Sequence, residues 1–174
     1  YFGEIKRGTK DIPRPVIVAP ELGEGGIEAD VFDNIQVPAV IQGYRMPPQG
    51  TEDYYALQYL TQLLSGGQSS RFNKVLVDEK RMALAVQAIP LGLESGGLFI
   101  NFALPNQGYK TADLAAEIDA LIAEVQNEPI PEREFQKLKN QIENNFISGY
   151  SSVQGIAENL ANYHVYFGDA ELIN

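Results

Sequence analysis

The sequence predicts an α+β fold, in which an antiparallel or mixed β-sheet carries its helices mainly on one face. Short runs rich in β-branched and aromatic residues alternate with a period of two, as half-buried strands do, and they occur in pairs. Longer segments repeat apolar residues at helical spacing, and these also occur in pairs. Because the strands are too few for a doubly wound sheet, we expect helices laid against one sheet face.

Four segments have the composition of strands. Residues 27–32 and 37–44 form a first pair, and residues 82–88 and 98–104 form a second pair. The glycine-containing segment 92–97 joins the second pair, which predicts an antiparallel hairpin.

Five segments have the period of amphipathic helices. Their apolar residues recur at intervals of three and four, and they span residues 51–64, 71–80, 111–126, 131–148 and 153–167. The clearest stripe contains Leu114, Ile118 and Leu121. We expect the helices around Leu60, Leu121, Phe146 and Leu160 to cover the sheet.

The length of 174 residues suits one domain of ordinary size. Residues 1–26 contain prolines and glycines without a sustained period, which indicates an interdomain linker, and residues 27–174 form the domain. The chain starts at Tyr1 without Met or an apolar leader, so we expect the natural start of the protein to lie upstream.

Composition excludes several classes of function. A net charge of −10 would repel a phosphate backbone, which excludes nucleic acid as a partner. The chain has no cysteine, so disulfides, thiolate metal sites and cysteine nucleophiles are excluded. No segment approaches the roughly 20 apolar residues of a spanning helix, and we expect no membrane insertion.

No group of residues has the pattern of a catalytic centre. His164 is the only histidine, and no carboxylate lies three or four positions from it. A zinc site needs several imidazole, carboxylate or thiolate ligands that converge on the metal, so this histidine alone cannot form one. The carboxylates of Glu132 and Glu134 are interpreted as ion-pairing surface groups. The sequence therefore predicts no catalytic and no metal-binding residue.

A glycine-rich loop occupies residues 66–71. It resembles a phosphate-binding loop only superficially, because it follows a helix rather than a strand and lacks the P-loop spacing and its Lys-Ser/Thr end. From its residues alone, it is a flexible connector between two helices, with Ser69 or Ser70 as the N-cap of the second.

The run from Leu63 to Lys80, followed by the strand at residues 82–88, resembles the second domain of the insulinase/pitrilysin family of zinc peptidases. The similarity is strongest to bacterial relatives of the mitochondrial processing peptidase. The closing segment 157–169 also resembles this domain, and the opening residues 1–3 are similar to the tail of the preceding catalytic domain. The resemblance covers nearly the whole chain and implies a metallohydrolase-like domain of the processing-peptidase type.

In that family the first domain carries the inverted zinc motif H-x-x-E-H and a distal Glu ligand. The resemblance therefore implies that zinc is absent from this segment and belongs to an upstream domain of the parent protein. In the family's C-terminal half an Arg and a Tyr contact substrate, but the matching positions here are Val77 and Leu84. This difference implies the non-catalytic domain of the catalytic half. The loop takes the place of a substrate-contacting glycine-rich loop, which makes Gly66, Gly67 and Arg71 candidate substrate-facing residues.

The resulting prediction is a non-catalytic, substrate-chamber domain of a bacterial zinc metalloendopeptidase that degrades or processes peptides. The alternatives are an inactive partner or scaffold subunit of the same family and a free-standing peptide-binding module. The expected partners are a peptide or unfolded protein substrate, the upstream catalytic domain, and a second subunit in a homo- or heterodimer. Periplasm and cytoplasm both remain open. We also expect an exposed apolar face, with Tyr44, Tyr150 and Tyr166 as candidate members.

Overall fold

A computed structural model of the chain describes residues 3–13, 18, 23, 28–34 and 36–173. The chain divides into two units, Tyr1–Asp33 and Asn34–Asn174. Within the first unit the described residues form turns and irregular backbone, with no helix or strand among them.

The strand predicted at residues 27–32 is wrong for residues 28–32, and Ile27 lies outside the described residues. The side chains of Val31 and Phe32 are 87% and 95% exposed. Their β-like composition is therefore not matched by the burial that stabilises a strand. The predicted boundary between residues 26 and 27 also lies outside the described part of the chain, and it stays a prediction.

The second unit contains the predicted strands and helices. In chain order they are β1 (Val40–Met46), α1 (Glu52–Ser65), a π-helical segment (Asn73–Glu79), β2 (Ala83–Leu93), β3 (Gly96–Pro105), α2 (Thr111–Asn127), α3 (Glu132–Gly149), α4 (Val153–Asn162), a π-helical turn (Tyr163–Phe167) and a 3₁₀ turn (Ala170–Ile173). The α+β prediction is confirmed, although β1 begins three residues after the predicted start at residue 37.

Local chemistry explains where the helices begin. The Thr51 side chain accepts the backbone N–H of Tyr54 at 3.2 Å, and the Ser152 side chain accepts that of Gly155 at 3.0 Å. These hydroxyls satisfy donors that have no partner within the first helical turn. Pro131 precedes α3, where a missing N–H carries no cost.

The sheet has three strands in the order β1-β3-β2, and both pairings are antiparallel. Asn101 of the middle strand lies opposite Gln42 on one side and Ala88 on the other. The hairpin between β2 and β3 requires glycine at position 97, because a Cβ there would collide with the backbone oxygen of Leu91. The sequence prediction of this hairpin is confirmed.

The outer edge of β2 is closed by α1. Ser65 Oγ accepts the backbone N–H of Ala88 at 3.0 Å and donates to the Ala88 carbonyl at 3.3 Å. Pro90 has the same outward orientation as Ala88, so its missing N–H removes no bond to β3. An exposed edge strand is a template for pairing with another chain. Ser65 and Pro90 limit such pairing at the outer edge of β2.

One face of the sheet and the helices above it form the core. From the middle strand, Phe99 and Ala103 are 3% and 0% exposed. They pack in one cluster with residues of α1, the π-helical segment and α2, among which Leu64, Phe72, Leu76, Leu114, Ile118 and Leu121 are buried. The burial predicted for Leu121 and its helical stripe is confirmed.

The C-terminal helices contribute less to this core than expected. Phe146 on α3 and Leu160 on α4 are 53% and 38% exposed, and α4 has no buried residue. The prediction that the helices around Phe146 and Leu160 cover the sheet is therefore wrong. Helix α3 instead packs against α1, where Phe135 stacks on Tyr59 with ring centroids 5.8 Å apart.

A hydroxyl pair joins the end of α3 to the π-helical turn after α4. The Tyr150 and Tyr163 hydroxyl oxygens are 3.0 Å apart. Desolvation by burial, followed by the hydrogen bond to Tyr163 and its charge, raises the pKa of Tyr150 from 10.0 to about 12. The protonated phenol is thus favoured in the folded state.

We expect Leu76→Ala to lower the free energy of unfolding by about 2–5 kcal/mol, because it leaves a cavity in the buried cluster. Urea denaturation of the chain measures this. Leu84→Ala is the matched control, since the Leu84 side chain is 61% exposed, and its effect should stay below about 1 kcal/mol. Equal losses in the two variants would contradict the position of the core.

We also expect the stability of the chain to fall as the pH rises from about 10 to about 12, in part because of Tyr150. Its folded-state pKa is raised, so the unfolded chain loses the proton first and is favoured above the unfolded pKa. Tyr150→Phe should make the fall less steep, and Tyr163→Phe should have a smaller effect of the same sign. The measurement is urea unfolding at a series of alkaline pH values, and an unchanged slope in Tyr150→Phe would refute the expectation.

Candidate functional site

The glycine-rich loop connects α1 to the π-helical segment. The Gly66 backbone N–H caps α1 by donating to the Gln62 carbonyl at 2.9 Å. Gly67 has a φ of +114°, which a residue with a side chain rarely adopts. The Ser70 backbone N–H then donates to the Gly67 carbonyl at 3.0 Å, which closes a turn. The sequence prediction of a helix-to-helix connector is confirmed, but neither Ser69 nor Ser70 caps the π-helical segment through its side chain.

The inner side of the loop is held by hydrogen bonds. Asn73 Nδ2 donates to the Gly67 carbonyl at 3.2 Å and to Ser70 Oγ at 3.1 Å. Ser70 itself is 5% exposed. The loop is therefore bonded to the helical residues that follow it.

Arg71 is the centre of an ion-pair network. Its Nη2 and Nε groups donate to the two carboxylate oxygens of Glu134 on α3, at 2.9 and 3.4 Å, and Nη1 donates to Glu124 on α2 at 3.0 Å. The Arg71 side chain is 15% exposed. The hydrogen bond to Glu134 raises the pKa of Arg71 above its ordinary value, while burial opposes this. The Arg71 guanidinium therefore joins the loop to both α2 and α3.

A second cation holds the tip of the loop. Lys137 Nζ on α3 donates to Ser69 Oγ at 2.6 Å. Together with the Arg71 network, this contact places the loop beside the first two turns of α3. The loop is a surface feature of the domain with a fixed attachment.

The three residues predicted to face substrate have different environments. Gly67 is exposed, Gly66 is half-buried, and Arg71 directs three donor groups to carboxylates of its own domain. Sequence reasoning missed Glu124 and placed Glu134 among ordinary surface groups. Neither partner leaves a signal in residue spacing, because they lie 53 and 63 positions from Arg71.

The side chains that could perform hydrolysis are scattered. His164 is exposed on the π-helical turn after α4. Within the described part of the chain, no three His, Cys, Asp or Glu side chains are grouped so that they could hold a metal ion. None of the described helices is long and apolar enough to cross a membrane.

Among the described residues, shallow grooves follow the C-terminal half of α3, and the Phe146 side chain lines three of them. Their volumes are about 280, 690 and 310 Å³. The largest lies between α3 and α4, where Ile147, Ile156 and Leu160 add apolar walls. These grooves can hold apolar side chains, but they bring together no acid–base pair or nucleophile.

A protein-family model described as "Peptidase M16 inactive domain" matches residues 1–142 of the chain. The chain is 32% identical over 167 residues to a Helicobacter pylori protein named zinc protease PqqE. This similarity covers 95% of the chain and 37% of that protein. The chain therefore spans less than half of the length of the curated relative that it matches.

Solved structures have the same fold. The crystal structure of a protease from Helicobacter pylori superposes with a TM-score of 0.72 at 29% identity, over 81% of this chain and 35% of that chain. The peptidase M16 inactive domain from Pseudomonas fluorescens superposes with a TM-score of 0.64 at 16% identity, over 78% of this chain and 32% of that chain. The chain belongs to the peptidase M16 family, the insulinase family of zinc peptidases, and corresponds to its inactive, non-catalytic domain.

Proposed function

We propose that the chain serves as the substrate-chamber domain of a zinc metalloendopeptidase and helps to enclose peptides that another domain cleaves. One observation carries the proposal: a chain that matches the inactive domain along residues 1–142 spans 37% of a zinc protease. The remaining length of such a protein is sufficient for a catalytic domain. The acidic chain, with a net charge of −10, would favour peptides with basic residues over acidic ones.

Zinc is the cofactor that the family implies, and the residues of this chain do not fit it. The single imidazole is exposed, and the described acidic side chains form no group that could complete a ligand set. We therefore derive no hydrolytic step from this domain. Its contribution is to shape the space around the substrate and to support the domain that holds the metal.

The loop at residues 66–71 is the part of the domain for which we propose contact with peptide. Gly67 and Gln68 are exposed, and glycine at position 67 has no side chain that would keep a peptide away from the loop, although the Gly67 N–H and carbonyl are already hydrogen-bonded within the domain. Arg71 is then a positioning residue, because its donors engage Glu134 and Glu124. In this form of the hypothesis the loop backbone meets peptide and Arg71 holds the loop in place.

We expect the 174-residue chain alone to retain no stoichiometric zinc after dialysis and to cleave no peptide. The longer natural polypeptide should retain zinc and cleave peptides in a chelator-sensitive manner. Elemental analysis and a fluorogenic peptide assay on both proteins provide the measurement. Zinc and chelator-sensitive activity in the short chain would contradict the proposal. A longer polypeptide without zinc or activity would favour the scaffold subunit instead.

We expect Arg71→Met to lower the free energy of unfolding by about 1–3 kcal/mol, because it leaves two carboxylates without their shared partner. In the longer polypeptide, assayed well below its Tm, kcat should change little and the KM for peptide should rise only modestly. Arg133→Met is the matched control, since Arg133 is exposed on the same end of α3. A large rise in KM without loss of stability would show instead that Arg71 contacts the peptide directly.

A further inference from the structure

One residue of the chain has a backbone conformation that its residue type disfavours. Arg81 has a φ of +53° and is the only residue other than glycine with a positive φ among the residues that the structure describes. A Cβ atom in this left-handed region lies too close to a carbonyl oxygen, so glycine is the residue ordinarily found there. The chain has glycine at five other described positions with a positive φ, which are Gly50, Gly67, Gly96, Gly108 and Gly168.

Arg81 occupies the position that ends the π-helical segment. The Met82 backbone N–H donates to the Leu76 carbonyl at 2.8 Å, and the Lys80 N–H donates to the Val75 carbonyl at 2.9 Å. The chain therefore reverses at Arg81 in the way that many helices end, and glycine is the most common residue at that point. The turn requires the left-handed conformation, whereas the arginine side chain opposes it.

The loop between β3 and α2 holds the backbone of this turn in place. The Asn106 side-chain Nδ2 donates to the Arg81 carbonyl at 3.0 Å, and the Asn106 backbone N–H donates to the Met82 carbonyl at 2.7 Å. The Tyr109 hydroxyl donates to the Lys80 carbonyl at 3.1 Å. A strained backbone persists where its surroundings fix it in this way, and such positions cluster at binding sites. The turn thus presents the Arg81 side chain from a fixed backbone.

The Arg81 side chain has no polar partner within the described part of the chain. It is exposed, and its guanidinium makes neither an ion pair nor a hydrogen bond there. Two nearby carboxylates are already paired, Glu79 with Lys74 at 3.9 Å and Glu117 with Lys80 at 2.5 Å. The N–H donors of Arg81 are therefore available to a group outside this chain. A cation that does not stabilise the fold, at a strained position, indicates a role in binding.

The chemistry of the guanidinium defines the ligand that it can bind. Its donors form a planar fork, which matches a carboxylate and binds it through two parallel hydrogen bonds. The net charge of −10 opposes the approach of polyanions. It opposes a single carboxylate much less, because charges more than about 8 Å away are largely screened at physiological ionic strength, whereas the fork acts at contact distance. The site therefore suits one carboxylate in a partner that is otherwise neutral or basic.

We propose that Arg81 binds a carboxylate of the peptide substrate, either the α-carboxylate of its C-terminus or the side chain of an Asp or Glu residue. This inference rests on the proposed function, which supplies a peptide as the partner of the domain. Arg81 then determines which peptides bind well, and it takes no part in the hydrolytic step. Glycine at this position would relieve the strain in the turn and abolish the binding.

Peptide kinetics on the longer natural polypeptide test the proposal. Three fluorogenic peptides of one sequence are compared: an amidated peptide with an internal Gln, the same peptide with a free C-terminal carboxylate, and the amidated peptide with Glu in place of Gln. Arg81→Gln removes the charge and keeps the strained conformation, whereas Arg81→Gly removes both. Arg133→Gln is the matched control, since Arg133 is an exposed arginine within the regular helix α3. Circular dichroism and Tm verify that each variant is folded.

We expect one of the two peptides with a carboxylate to have a KM about tenfold lower than the peptide without one, because a charge-assisted contact contributes an effect of this size. A preference for the free terminus identifies the α-carboxylate as the ligand, and a preference for the Glu peptide identifies an acidic side chain. Arg81→Gln and Arg81→Gly should abolish the preference with little change in kcat, as expected for loss of uniform binding. The control variant should retain it.

The two substitutions at position 81 should differ in stability. Arg81→Gly should raise the Tm by about 2–4 °C, because glycine adopts the left-handed conformation without strain. Arg81→Gln should leave the Tm almost unchanged, because glutamine retains the strain. Loss of the carboxylate preference in the more stable variant as well as in Arg81→Gln would show that the preference depends on the guanidinium and not on the integrity of the turn.

Equal KM values for the three peptides in the unchanged polypeptide would overturn the proposal, as would a preference that survives in Arg81→Gln. A lower Tm of Arg81→Gln in the longer polypeptide, without any change in peptide preference, would also overturn it and would identify a carboxylate of another domain as the partner of Arg81.

The test separates this inference from the proposed function. Fluorescence polarisation measures binding of the same peptides to the longer polypeptide whether or not it contains zinc or cleaves them. Carboxylate-dependent binding that requires Arg81, in a polypeptide without zinc or activity, would refute the proposed function and leave the role of Arg81 supported. An active zinc enzyme without a carboxylate preference would refute the role of Arg81 alone.

Discussion

Phe99, Asn101 and Ala103 point from the middle strand β3 into the layer formed by α1, the π-helical segment and α2, and their burial fixes the positions of these elements. Ala103 and Asn101 are small enough to let helices approach the sheet closely, while Phe99 fills the space at the other end of the strand. Asn101 is fully buried, and its Oδ1 has no hydrogen-bond partner among the described residues, whereas its Nδ2 donates to Gln42 at 3.4 Å. A core that accommodates this polar group must gain its stability from the surrounding apolar packing.

The same layer explains why the glycine-rich loop has a defined position. Leu64 at the end of α1 and Phe72 after the loop are both fully buried, so the two ends of the loop are fixed by the core. Arg71 then connects this point to α2, which packs on the sheet, and to α3, which packs on α1. A charge-assisted network of this kind orients elements that hydrophobic packing alone leaves less well determined.

The surface of a non-catalytic peptidase domain has to contact other surfaces, whereas an active site has to bring reactive groups together. The described residues provide a loop attached by cations, apolar grooves along α3 and an uncovered sheet face. Each of these features can meet another surface, and none concentrates titratable groups for proton transfer. Membership of the peptidase M16 family thus depends on the shared fold, while the chemistry of the family depends on residues that this domain does not contain.

The sequence by itself determined most of the elements and the chemistry that is excluded, although the strand that it predicted at residues 27–32 does not form at residues 28–32. Periodicity and capping are local properties, so the helices and three of the strands could be predicted, and a single histidine without cysteine argued against a zinc site. The sequence did not determine which face of β3 is buried. An alternating pattern shows that neighbouring residues point to opposite faces of the strand, but it does not show which face meets the helices. The tertiary structure decided this: Phe99, Asn101 and Ala103 face the helices, and Leu98, Ile100 and Phe102 lie on the opposite face of the sheet. It also decided the partners of Arg71, because contacts between residues 53 and 63 positions apart arise only when the helices pack.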